Sequence, residues 1–204
     1  MAKVSATRRT QGERRTATRA ALLDAALECM VEYGYAGTTT GRVCDRARVS
    51  RGAHLHHFGT RASLVAAALA ELYRRRELEI QDEVDQLPAG EGRIEAALDL
   101  LWGWFTGPLF YAAVDLGAAA RTDPDLRVSL EPIEQQLNAT TLTRCREMFA
   151  LSADDSGCDQ VIQVTLATVR GLALLPVLLL GMHKADKQWE FARTRLALMI
   201  REGD

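Results

Sequence analysis

Residues 38–60, TTTGRVCDRARVSRGAHLHHFGT, bring arginine, histidine and hydroxyl side chains together at short spacing. Arg42, Arg46 and Arg48 fall on or just after one short apolar stripe, Arg51 opens the next, and Arg61 opens the one after that. Arginine in such places can fork onto a phosphate or read guanine through O6 and N7, and exposed helix N-termini add backbone donors. The chemistry on offer is recognition of a polyanion rather than bond making. His54 and His57 share a helix face, but no cysteine or carboxylate stands nearby at ligand spacing, so neither a metal nor a cofactor is expected. A helical-bundle enzyme with a di-iron centre needs Glu-x-x-His pairs, whereas the residues three before the four histidines are Arg51, Ala53, His54 and Leu180. There is no nucleophile elbow and no phosphate-binding loop, so the chain is read as a non-enzyme.

These side chains need short helices to present them. Leu22, Leu23, Ala26, Leu27, Met30 and Val31 recur at helical spacing from Arg19 until Gly34, which can take the left-handed position after a helix end. Thr38-Thr39-Thr40 then supplies a cap for a helix with Val43, Cys44 and Ala47. Ser50 caps a third helix over 51–58, and Thr60 caps a fourth from Arg61. Two short helices joined by a tight turn follow the grammar of a helix-turn-helix, whose second helix enters the major groove of double-stranded DNA.

Composition supports an unequal division of labour. The chain has 204 residues, 48% hydrophobic and 25% charged, which excludes a disordered tail protein. Residues 1–61 carry 11 Lys and Arg against 5 Asp and Glu, or +6, while 62–204 carry 14 against 22, or −8. The first third is therefore built to face something negative. Residues 1–18 are basic with little to bury and read as a flexible arm. The longest apolar run, 171–182, is shorter than the ~18–20 residues that span a bilayer, so no membrane partner and cytoplasmic residence are expected. Four scattered cysteines read as reduced core residues.

The run from Arg19 to about Leu72 resembles the amino-terminal domain of the TetR family of transcriptional regulators. The resemblance is carried by Tyr33-Gly34-Tyr35, Thr38-Thr39, Val43, Ala47, Val49-Ser50, Gly52, His57-Phe58, Thr60-Arg61 and Leu64. It implies base contacts from Arg51, Gly52, Leu55 and His56 and phosphate contacts from Thr40, His57 and Arg61, with Arg42 and Arg48 completing the DNA-binding set. Arg48 stands where relatives have a turn glycine. His54-Leu55 stands where they have Leu-Tyr, leaving open whether Leu55 meets a thymine methyl or turns inward while His54 takes the groove. These departures motivate an alternative reading as a helical protein-binding adaptor with reduced DNA binding.

Everything downstream reads helical, giving an all-α chain of about nine helices. Its expected parts are an arm at 1–18, a DNA-binding domain at 19–62 and an effector-binding and dimerisation domain at 63–204. Trp102, Trp104, Phe105, Phe110 and Tyr111 make the densest aromatic patch. A small hydrophobic or amphipathic effector is expected among Trp102, Phe105, Phe110, Tyr111, Asn138, Thr141 and Arg170, with Asp115 a further polar candidate. Val161, Thr165, Leu172 and Leu175 on one helix, and Trp189, Ala192, Leu196 and Met199 at 3-4-3 spacing on the last, predict a homodimer seam. A two-fold dimer would read a palindromic operator. The resemblance implies a repressor released from that operator when effector binds.

Overall fold

The structure, a computed structural model, describes residues 10–151, 156–179 and 185–202. Among the described residues the chain forms nine α-helices and no strand: α1 (Gln11–Gly37), α2 (Thr40–Ala47), α3 (Arg51–His57), α4 (Arg61–Asp85), α5 (Arg93–Phe105), α6 (Pro108–Ala120), α7 (Pro124–Phe149), α8 (Ser156–Leu178) and α9 (Ala185–Glu202). Most of the expected starts hold, but α1 begins at Gln11 rather than Arg19 and resumes after Gly34 to end at Gly37. Gly34 has φ 64° and kinks α1, while Thr39, Ser50 and Thr60 accept from the backbone N–H groups of Arg42, Ala53 and Ser63. Asp123 Oδ1 accepts from Leu126 N at 3.0 Å, with Pro124 at the first helical position. Helix α7 continues through Pro132.

The arm is the first correction. Of residues 1–18, Lys3, Arg8 and Arg9 lie outside the described residues, but Gln11 onward is helix. Thr10 and Glu13 form a reciprocal cap: the Thr10 hydroxyl accepts from Glu13 N at 3.2 Å, and the Glu13 carboxylate accepts from Thr10 N at 2.7 Å. This cap lets α1 begin two turns before its first apolar residue.

The fold divides into two compact units. The first comprises residues up to Leu72 together with Asp115–Leu130, so it differs from the linear 19–62 span by gaining a second segment of chain. Its core holds Leu22, Ala26, Cys29, Val43, Leu64 and Leu69 with Leu116, Leu126 and Leu130 from that segment, all buried. The second comprises Tyr73–Val114 and residues from Glu131 onward, and packs α5, α8 and α9 around Leu98, Leu101, Met148, Ile162, Val169 and Ile200. All four cysteines are free and buried, and burial pushes the Cys145 thiol up to about 12.

Helix α8 is longer in its apolar stretch than the twelve-residue run suggested. Gly157–Leu178 reaches a mean hydropathy of 1.8 and is long and apolar enough to cross a bilayer. One face, with Ile162, Leu166, Val169 and Ala173, is sealed in the unit core, and Arg170 interrupts the stretch. Away from that face, Val164, Val177, Leu178 and Leu179 are exposed.

Candidate nucleic-acid interface and effector site

The reading head is assembled by α1, α2 and α3, which pack on one another. The turn between α2 and α3 accepts Arg48 where a glycine was expected. Its backbone is left-handed (φ 55°, ψ 41°), a conformation that costs a non-glycine residue roughly 1–2 kcal/mol. The Arg48 N–H donates to Asp45 O at 3.2 Å, Val49 N donates to Cys44 O at 3.0 Å, and the Arg48 side chain is left exposed. Arg51 is exposed at the start of α3, and one of its guanidinium nitrogens lies close to Gly41, where an added Cβ would sit 3.3 Å away. Gly52 is exposed beside it.

The alternatives at residues 54 and 55 resolve in favour of an outward leucine. Leu55 is 62% exposed and His54 is 1% exposed. Helix α3 is held in this phase by Ser50 at one end and by Gly59, φ 73°, past the other. Among the described residues neither ring nitrogen of His54 makes a well-formed hydrogen bond, and burial lowers its pKa, with the Thr60 backbone opposing. His56 is exposed and His57 half-buried, their rings 5.5 Å apart and edge-on.

Three arginines are not free. Arg42 donates to Gly37 O and lies 4.1 Å over the Tyr33 ring. Arg46 pairs with Glu32 and, at 3.8 Å, with Glu28, so it holds α2 against α1. Arg61 stacks 3.9 Å over Tyr35, whose hydroxyl donates to Asp123 Oδ2 at 2.8 Å. Hydrogen bonds from Leu126 N and then Tyr35 hold the Asp123 carboxyl below its usual range. Thr40, in the first turn of α2, is half-buried. Of the expected DNA-contact residues, Arg42, Arg48, Arg51, Gly52, Leu55 and His56 are exposed, Arg42 while bound to Gly37 O, and Thr40, His57 and Arg61 are half-buried.

In the second unit, Phe105 and Phe110 meet edge-on at 5.2 Å, Phe110 and Tyr111 at 5.7 Å, and Arg170 lies 5.1 Å from the Phe105 centroid. Arg170 also donates weakly to Asn138 Oδ1 at 3.5 Å, and it has no carboxylate within 4 Å among the described residues. Two residues that the sequence pattern did not single out join this group, Tyr73 and Glu134. Burial raises the pKa of both, and the Arg170 charge opposes the shift in each. Their signal was weak because they come from α4 and α7, far apart in sequence from the aromatic patch.

The other expected effector residues make contacts of their own. Trp102 stacks on Trp189 at 4.8 Å and 6°, inside the unit's packing. Thr141 turns its hydroxyl back to Leu137 O, and Tyr111 donates to Ala173 O at 3.2 Å. Asp115 is exposed and belongs to the first unit.

The expected dimer seam on α9 points inward. Trp189 and Leu196 are each 5% exposed and Thr165 on α8 is fully buried, while Val161 and Met199 pack against the same core. The outward apolar face is two residues out of phase: Phe191 is 68% exposed and Leu198 42%. Of the expected seam, Leu172 and Ala192 are half-buried. They line an open groove of about 440 Å³ with Thr168, Lys187, Gln188 and Phe191. Leu175 is half-buried.

Comparison with known proteins agrees with this geometry. The family profile described as bacterial regulatory proteins, tetR family, matches residues 22–68. The HTH-type transcriptional regulator CymR of Pseudomonas putida is 32% identical over 179 residues, which is 84% of this chain and 85% of CymR. A TetR transcription regulator from Haloarcula marismortui shares the fold with a TM-score of 0.69 at 19% identity, over 92% of this chain and 98% of that one. The multidrug binding protein EbrR, solved with proflavin, does so with a TM-score of 0.61 at 21% identity, over 88% and 99%. The chain therefore belongs to the TetR family and is a DNA-binding transcriptional regulator of the helix-turn-helix type, not an enzyme.

Proposed function

We propose that this regulator is a cytoplasmic repressor that binds a palindromic operator as a homodimer and leaves it when a small hydrophobic or amphipathic molecule occupies the second unit. The observation that carries the reading is the division of α3 into a sealed side, with His54 inside, and an open side bearing Arg51, Leu55 and His56. Arg51 reads bases, Leu55 meets an apolar base edge such as the thymine methyl, and Arg48 contacts phosphate from the turn. Both departures that favoured a protein-binding adaptor are accommodated without closing this surface, so the DNA reading is preferred.

The dimer forms through the outward apolar face of α8 and α9, with Val164, Leu172, Phe191, Ala192 and Leu198, in a four-helix interface. That face is supported by its exposure and by the groove it lines. The effector lies against Phe105 and Phe110, oriented by Arg170, Asn138, Glu134 and Tyr73. Arg170 and Glu134 act on each other electrostatically, and among the described residues neither closes a salt bridge within 4 Å, which supports a ligand with polar groups on an apolar body. EbrR, solved with proflavin, lends this fold a precedent for small aromatic ligands. Effector release follows if the ligand binds better to a state that grips DNA less well.

Replacing Arg51 by Ala tests the reading helix. Selected duplexes should lose ~1–3 kcal/mol of binding free energy, with a changed base preference at one position of each half-site. Unchanged affinity and preference in a gel-shift and selection experiment would place the reading surface elsewhere.

A further inference from the structure

Arg15 and Arg19 lie four residues apart on α1 and so share one face of the helix. Both are exposed, and neither is in an ion pair among the described residues. The Arg19 guanidinium lies 5.4 Å from the Phe58 ring centroid, Phe58 is 6.1 Å from the His57 ring, and His57 is 5.5 Å from His56. The early turns of α1, which were expected to be a loose arm, therefore meet the C-terminal end of the reading helix in one cluster of cationic and titratable side chains. Among the described residues, the charged groups acting on His57 are His56 on its own helix and Arg15 and Arg19 from α1, with no carboxylate offsetting them.

We propose that Arg15, Arg19 and His57 form one site for a DNA backbone phosphate, and that His57 takes up a proton as the phosphate docks. This rests on the DNA-binding reading above. In the free chain, burial first and then the neighbouring cations favour neutral imidazole, holding the His57 pKa below its ordinary value of 6.5. A phosphodiester placed between the arginines and the ring reverses the local field and favours imidazolium. The proton comes from the buffer acid and ends on the free ring nitrogen; no covalent bond to phosphate forms. Binding then strengthens as pH falls through the range between the free and bound pKa values, by linkage. The chain would hold its operator several-fold more tightly at about pH 6 than at about pH 7.5.

The test uses the full chain and a duplex enriched by that chain from a random-sequence pool. Calorimetric titration near neutral pH in two buffers of different ionisation enthalpy counts the protons taken up. The wild type should take up a fraction of a proton per protomer, His57→Gln should bind DNA with almost none, and His56→Gln should keep the uptake. Arg15→Ala and Arg19→Ala should each lower the slope of log affinity against log salt by about 1 for every phosphate that is no longer neutralised. Nuclear magnetic resonance of the wild-type His57 ring should show its pKa rising on DNA addition, a readout that needs no variant to fold. DNA binding without buffer dependence, or with uptake that survives His57→Gln, overturns the proton-linked site while leaving the regulator reading intact. Unchanged salt slopes in both arginine variants do the same. Enrichment of no duplex at all overturns the DNA reading, and this proposal with it.

Discussion

A leucine would serve better than His54 for stability alone. The imidazole is 1% exposed, and among the described residues it makes no well-formed hydrogen bond, the Thr60 backbone being the one polar group that acts on it. A buried polar group left unbonded costs roughly 1–3 kcal/mol, whereas Leu55 outside costs little, since single exposed apolar side chains are common. Composition alone would therefore have pointed Leu55 inward. The result follows instead from helix phase, which Ser50 and Gly59 hold at the two ends of a seven-residue element. The sign of the pH effect is fixed by the lowered pKa: the folded head resists protonation, while the unfolded chain takes a proton near 6.5. Stability from this site is complete above that pH and is lost as pH falls below it. His54→Leu should raise the melting temperature by an amount worth about 1 kcal/mol or more at neutral pH and flatten the acid limb of a stability-versus-pH curve. A variant that melts lower, with an unchanged acid limb, would show that the imidazole has a partner in solution.

At the scale of elements, boundaries were legible wherever a side chain or glycine sets them locally. Thr39, Ser50, Thr60, Gly34 and the Asp123-Pro124 pair each act within one turn, so sequence and structure agree there. The Thr10-x-x-Glu13 cap was equally present in the letters, but it precedes a segment with little to bury, which pointed to a loose arm. The phase of α9 was not legible for a different reason. Trp189, Ala192, Leu196 and Met199 form one apolar stripe, Phe191 and Leu198 begin another, and packing on the remote α5 and α8, with Trp102 stacked on Trp189, turns the first inward. Tyr73 and Glu134 lie near Arg170 unseen for the same cause: packing between remote segments leaves no local pattern. One remote contact also joins the two chain segments of the reading unit, the hydrogen bond from Tyr35 to Asp123. Tyr35→Phe should lower the melting temperature of the full chain modestly, because the Arg61 stacking surface survives. Tyr35→Ala should lower it much further and weaken DNA binding. Equal effects from the two would assign all of the role to the hydroxyl.

For the whole molecule, the proposed operator grip depends on two heads acting together. The exposed apolar strip on α8 and α9 is the face available for a second copy, and Phe191 is its largest exposed side chain. Phe191→Glu puts a charge where a subunit core would form, so sedimentation should shift from dimer to monomer at working concentrations. Affinity for a two-half-site duplex should fall steeply, while affinity for a single half-site changes little. A variant that stays dimeric would move the interface off this strip. Circular dichroism should report folding at the same time: helicity retained with dimerisation abolished separates an interface effect from a collapse.

The reading unit is made from two stretches of chain, with Leu116, Leu126 and Leu130 of the second stretch contributing to its core. Anyone wishing to transplant this DNA specificity onto another sensor cannot take the first seventy-odd residues as a cassette. A graft ending at Leu72 omits three buried leucines of the same unit, so chimeras that also import Asp115–Leu130 should melt higher than those that do not. Recombination in nature faces the same constraint, and single crossovers inside this gene should yield insoluble hybrids far more often than double ones.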